Sequence, residues 1–149
     1  MYRHILVPTD GSSLSLKAAR EAARLAKDHK AKITAFYAIE PYAPPPSGEA
    51  AILYPEIFSQ GEYKKRTEKA AGAALKKVEA EARAAGVKAE GKFVTAAAPW
   101  KAIIDEARAD KCDLIVMSSH GRGGLASLLL GSETLKVLTH SKTPVLVCR

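Results

Sequence analysis

Short unbroken apolar runs alternate along this chain with longer stretches in which apolar residues recur every three or four positions. His4-Ile-Leu-Val-Pro8 ends abruptly at Thr9-Asp10-Gly11, which predicts a strand buried on both faces followed by a turn. Ser12 or Ser13 can cap a helix at once, and Leu16, Ala19, Ala23 and Ala26 form its apolar stripe up to about Asp28. Lys32 to Ile39, rich in β-branched and aromatic residues, predicts a second strand.

From Glu40 to Pro55 the chain carries Pro41, Pro44, Pro45, Pro46 and Gly48, a composition that neither a helix nor an inner strand can hold. A long surface loop is expected there. The following segment, Ile57 to Ala85, carries Ala71, Leu75, Val78 and Ala82 at helical spacing and stops at Gly86. Val87 to Thr95 predicts a third strand, and Pro99 opens a helix that turns Ile103, Ile104 and Ala107 inward. Asp113 to Met117 predicts the fourth strand, Gly131-Ser132 to His140 a helix, and Pro144 to Cys148 a last short strand. Strands alternating with helices imply βαβ units, a mostly parallel sheet and helices on both faces, hence a single α/β domain. In such sheets ligands bind outside the carboxyl ends of the strands.

Two of those ends carry candidate chemistry: Pro8-Thr9-Asp10 after the first strand, and Ser118-Ser119-His120-Gly121-Arg122-Gly123-Gly124 after the fourth. Glycines let a backbone approach a polyphosphate closely, and the helix starting near Ser132 adds unpaired N–H groups and a positive dipole end. Ser132 and Thr134 add hydroxyls. Spacing alone is a weak signal, because neither G-x-x-x-x-G-K-[ST] nor a complete G-x-G-x-x-G is present.

Composition narrows the partners. A net charge of +7 favours anions without naming one. Between Glu62 and Lys92 basic and acidic residues interleave, as on a solvated helix face, and no aromatic platform suggests nucleic acid. Cys112 and Cys148 have no further ligand at metal spacing and read as core thiols. No run of about 18 apolar residues is present, so a soluble cytoplasmic protein without membrane attachment is expected.

Met117 to Ser132 resembles the ATP-binding pattern of universal stress proteins: glycine, two residues, glycine, nine residues, then glycine and Ser or Thr. Here Gly121, the nine residues Arg122 to Leu130, and Gly131-Ser132 fit it, while Ser118 replaces the first glycine. Ile5 to Ser12, Cys112 to Met117 and Thr143 to Val147 also resemble that family. The resemblance implies a Rossmann-like, adenine nucleotide alpha hydrolase-like fold with strand order 3-2-1-4-5. It implies ATP, with Mg2+, bordered by Pro8, Thr9 and Asp10, its adenine against Ala38, its ribose and phosphates wrapped by Ser118 to Gly124. Gly131, Ser132, Glu133 and Thr134 would hold the phosphate end, with Asp10 acting directly or through magnesium. It further implies a homodimer through residues 144–148 and a regulatory rather than enzymatic role, with an unidentified protein partner; a nucleotide-free interaction module and a slow ATPase are the alternatives. A two-component receiver domain is excluded, since Phe93-Val-Thr-Ala-Ala ends the third strand without an acid.

Overall fold

The computed structural model describes residues 1–44, 52–121 and 130–149. Strands β1 (His4–Pro8), β2 (Lys32–Ile39), β3 (Ala89–Thr95), β4 (Leu114–Ser118) and β5 (Val145–Cys148) form one parallel sheet in the order β3-β2-β1-β4-β5. Helices α1 (Ser13–His29), α2 (Gln60–Ala84), α3 (Pro99–Ala109) and α4 (Ser132–His140) connect them. The central strands β1 and β4 are buried along their whole length, which is why they read as unbroken apolar runs.

Alternate residues of those strands sort into two layers. Ile5, Val7, Ile33, Ala35, Leu114 and Val116 meet the alanine stripe of α1 and Leu75, Val78 and Ala82 of α2. Leu6, Phe36, Ile115 and Met117 meet Ile103, Ile104 and Ala107 of α3 and Val137 of α4. Small residues on α1 let that helix lie close to the sheet, and each fully buried Ile, Leu or Phe contributes about 1.5–3 kcal/mol.

Caps explain most of the element bounds. Ser12 accepts a hydrogen bond from the Ser15 amide and starts α1; Ser59 does the same for Glu62 and starts α2 at Gln60, three residues later than the stripe alone predicts. Gly86, at φ 76°, takes the left-handed turn that ends α2, and the Val87 amide closes back on Ala82 O, so the β3 ladder begins only at Ala89. Asp113 stays outside β4 because its carboxylate accepts the amides of Arg3 (2.8 Å) and His4 (3.0 Å). Pro45, Pro46 and Gly48 of the proline-rich stretch lie outside the described residues.

The amino ends of the strands carry a polar knot. His4 is 6% exposed; its Nδ1 lies 3.0 Å from Asp110 O and its Nε2 2.8 Å from Thr34 Oγ1. A carbonyl only accepts, so Nδ1 carries the proton, and the single hydrogen of the Thr34 hydroxyl is shared between His4 Nε2 and Asp110 Oδ2. Burial, reinforced by Lys32, holds the imidazole below the ordinary histidine value. Burial would raise the neighbouring Asp110 carboxyl, but hydrogen bonds from Lys92 (2.6 Å) and Thr34 (3.1 Å) hold it below its usual value. Cys112, also buried here, has its thiol pushed up to about 12, chiefly by burial, and is an unreactive core thiol; Cys148 is only half-buried.

Because folding favours neutral His4, its contribution is fully present above the unfolded value of about 6.5 and is lost as the pH falls below it. The urea midpoint is therefore expected to drop between about pH 7.5 and about pH 5.5, and His4→Asn is expected to flatten that dependence. An equally steep profile in the variant would assign the titration to another group.

Candidate functional site

The carboxyl ends of β1, β2 and β4 open into a cleft of about 840 Å³, walled on its sides by α2 and by the first turn of α4. Its floor is apolar, with Phe36, Ala38, Ile103 and Met117, and its rim is polar. Such a mixture suits a ligand that is part aromatic and part anionic.

The β1 side is built locally. Pro8 ends the strand, and the Thr9 amide donates to Phe36 O at 2.8 Å, tying the turn to β2. Thr9 Oγ1 lies 3.0 Å from Ser15 Oγ and accepts the Gly11 amide at 3.1 Å, while Asp10 Oδ1 accepts the Ser12 amide at 2.9 Å. Gly11 sits at φ 81°, a conformation that a side chain would strain. Asp10 is thereby aimed across the cleft mouth toward the β4 side: a Cβ on Gly121 would lie 2.9 Å from Asp10 Oδ2.

The β4 side joins segments far apart in sequence. Thr134 Oγ1 donates to Ser118 O at 3.0 Å, and the Gly131 amide donates to Ser119 O at 2.8 Å, so the start of α4 is fastened to the end of β4. Among the described residues no side chain caps α4 at Gly131. Its first-turn amides and the exposed Ser132 hydroxyl therefore border the cleft, and they carry the positive end of the helix dipole. Glu133 has two other tasks: Oε2 accepts the Trp100 amide at 2.8 Å, capping the first turn of α3, and Oε1 pairs with Lys136 at 3.1 Å.

Ser118 lies within β4, in extended backbone, and its Oγ donates to His120 O at 2.8 Å. Its φ is not positive, so the backbone there accommodates a serine without strain.

Pro8, Thr9, Asp10, Ala38, Ser118, His120, Gly121, Gly131, Ser132, Glu133 and Thr134 all line this one cleft. Ser119 does not. It is 3% exposed, its amide donates to Cys148 O, and its Oγ lies 3.0 Å from His120 Nδ1, so it braces the turn from beneath. Arg122, Gly123 and Gly124 lie outside the described residues. Tyr63, Arg66 and Thr67 of α2 also face the cleft and were not among the residues expected from sequence. They sit one or two turns upstream of Ala71, on the continuation of its stripe, which helical spacing shows; that this face overlooks a cleft is shown only by the fold.

A model of the universal stress protein family matches residues 1–149. The chain belongs to the universal stress protein family. It is 37% identical over 150 residues to a universal stress protein of Thermus aquaticus, with 100% of both chains covered. Among solved structures, hypothetical protein MJ0577 of Methanocaldococcus jannaschii has a TM-score of 0.77 at 29% identity, over 99% of this chain and 95% of that one. A universal stress protein in complex with cAMP has a TM-score of 0.71 at 30% identity, over 99% and 97%. The five-stranded parallel sheet in the order 3-2-1-4-5 is that of these universal stress proteins. No helix among the described residues is long and apolar enough to cross a membrane.

Proposed function

We propose that this universal stress protein binds ATP, with magnesium, in the cleft between Asp10 and α4, and acts as a nucleotide-dependent regulatory module in stress response rather than as an enzyme. The observation that carries the proposal is the N-terminus of α4, uncapped among the described residues and bordering a cleft with an apolar floor, with Gly121 and Gly131 where a Cβ would meet the Asp10 carboxylate and the Ser119–His120 backbone. Amides and dipole take the phosphates, Phe36 and Ala38 take the base, and Asp10 serves the sugar or a phosphate-bound magnesium. The cAMP complex of a relative supports an adenine nucleotide as the ligand class. Hydrolysis would need charge-neutralising groups at the γ-phosphate, and the described cleft has no lysine. Calorimetric titration of nucleotide-stripped protein with ATP and magnesium tests the proposal: saturable binding is expected. A folded chain that takes up no nucleotide would instead be an interaction module of the same fold, a reading that the carboxylate of Glu133 beside the phosphate end favours.

Pairing of β5 with its copy in a second chain accompanies this reading. The four-residue strand lies at the sheet edge with Leu146 39% exposed, beside α4 with Leu135 53% and Leu138 37% exposed. A dimer by light scattering is expected for the wild type and a monomer for Leu146→Glu. A wild-type monomer at micromolar concentration would remove the dimer from the model of action.

A further inference from the structure

Helix α2 outruns the sheet it covers. Its 25 residues rise about 37 Å, whereas the eight residues of β2 span about 26 Å. The buried residues of α2 run from Ala71 to Ala82, so residues 60–70 overhang the carboxyl edge of the sheet. Along that overhang Tyr63, Arg66, Thr67 and Ala70, at i, i+3, i+4 and i+7, share one helix face and line the cleft.

Tyr63 is fixed from two sides. Its hydroxyl donates to Glu40 O at 2.7 Å, and its ring meets Tyr42 edge-on at 5.5 Å between centroids. The Arg66 guanidinium lies over the Tyr63 ring, 5.9 Å from the centroid. Of the nearby carboxylates, Glu62 pairs with Lys65 at 3.1 Å and Glu68 with Lys64 at 4.0 Å, while Glu56 lines a second pocket with Arg66 without pairing to it. Among the described residues Arg66 makes no ion pair, and it is the one Lys or Arg that lines the cleft.

The two walls of the cleft differ in chemistry. The α4 amides and Gly131 stand on the β4 side, whereas α2 packs on β2 and β3. A ligand anchored by its phosphates at α4 therefore reaches α2 with its base, about two strand spacings or 10 Å away. A guanidinium already laid on a ring offers a flat cationic face to a second π system.

We infer that Arg66, positioned by Tyr63, is a specificity residue that stacks on the purine of the bound nucleotide. The inference rests on the nucleotide reading above and deepens it, by assigning the base side of the cleft to α2. Its test is calorimetric titration of the wild type, Arg66→Ala, Arg66→Lys and Tyr63→Ala with ATP, CTP and inorganic tripolyphosphate. Arg66→Ala is expected to lose about tenfold in ATP affinity, less for CTP, with tripolyphosphate unchanged. Arg66→Lys keeps the charge but not the plane and is expected to follow alanine; Tyr63→Ala, which removes the support, is expected to lose ATP affinity similarly. Equal losses for ATP and tripolyphosphate would place Arg66 on the phosphates and overturn the inference. Unchanged ATP affinity in Arg66→Ala would also overturn it while leaving nucleotide binding intact. A wild type that takes tripolyphosphate but not ATP would overturn the nucleotide reading and this inference together. Arg66 is exposed, so far-UV circular dichroism of the variants is expected to match the wild type.

Discussion

Gly131→Val is expected to weaken ATP binding by about a hundredfold, near 2.7 kcal/mol, while leaving the chain folded. The argument starts from crowding, since φ at Gly131 is −61° and open to any residue. A Cβ there would lie 3.2 Å from Ser119 O and 3.3 Å from His120 Cα. Both are backbone, so relief comes only from moving the turn at Ser119–His120 away from the start of α4, and the added γ-carbons of valine enlarge the shift. That turn, held by the 2.8 Å bond from the Gly131 amide to Ser119 O, aims the first amides of α4. Overpacking of this kind costs about 1–3 kcal/mol, below the ~5–15 kcal/mol of a typical domain, so the fold survives while the anion site is misaimed. Calorimetry paired with a thermal melt checks both halves. Wild-type affinity in the folded variant would mean that ATP is held elsewhere than at α4.

Phe36→Ala is expected to destabilise the domain by about 3–5 kcal/mol and to lower its melting temperature by about 10 °C. Phe36 is 1% exposed and packs with Leu6, Ile103 and Met117, so its removal leaves a hole between β2 and α3. The same ring forms part of the cleft floor, and ATP affinity is expected to fall as well. Phe36→Leu keeps most of the volume and is expected to cost under about 1.5 kcal/mol. Chemical denaturation of the two variants separates the cases: a loss under about 1 kcal/mol for alanine would show that the site collapses around the smaller side chain.

The parts of this molecule that were legible in its sequence are those set by neighbours along the chain. The run His4 to Pro8 and the turn at Gly11 give β1 and the Asp10 position, because burial on both faces and one positive φ leave local marks. The Gly131-Ser132 helix start was legible for the same reason. What stayed hidden depends on partners far away. Thr134 spends its hydroxyl on Ser118 O, 16 residues upstream, and Glu133 reaches the Trp100 amide 33 residues away. Neither periodicity nor capping preference carries such information. The α2 wall was missed because its apolar stripe runs on past the point where the sheet stops, and only the topology shows that Tyr63 and Arg66 stand over open space.

The carboxylate of Glu133 serves the starts of two helices at once, belonging to the first turn of α4 and capping α3. One negative charge thus lies at the positive ends of two helices, and it stands beside the anion site proposed at α4. The helix end proposed to take the phosphates is thus partly neutralised beforehand, and the Trp100 amide in the first turn of α3 has Glu133 as its acceptor. Strength of capture and integrity of a neighbouring helix are therefore set by the same side chain. Under the proposed nucleotide reading, removing this carboxylate would strengthen the anion site and at the same time leave the Trp100 amide without its acceptor.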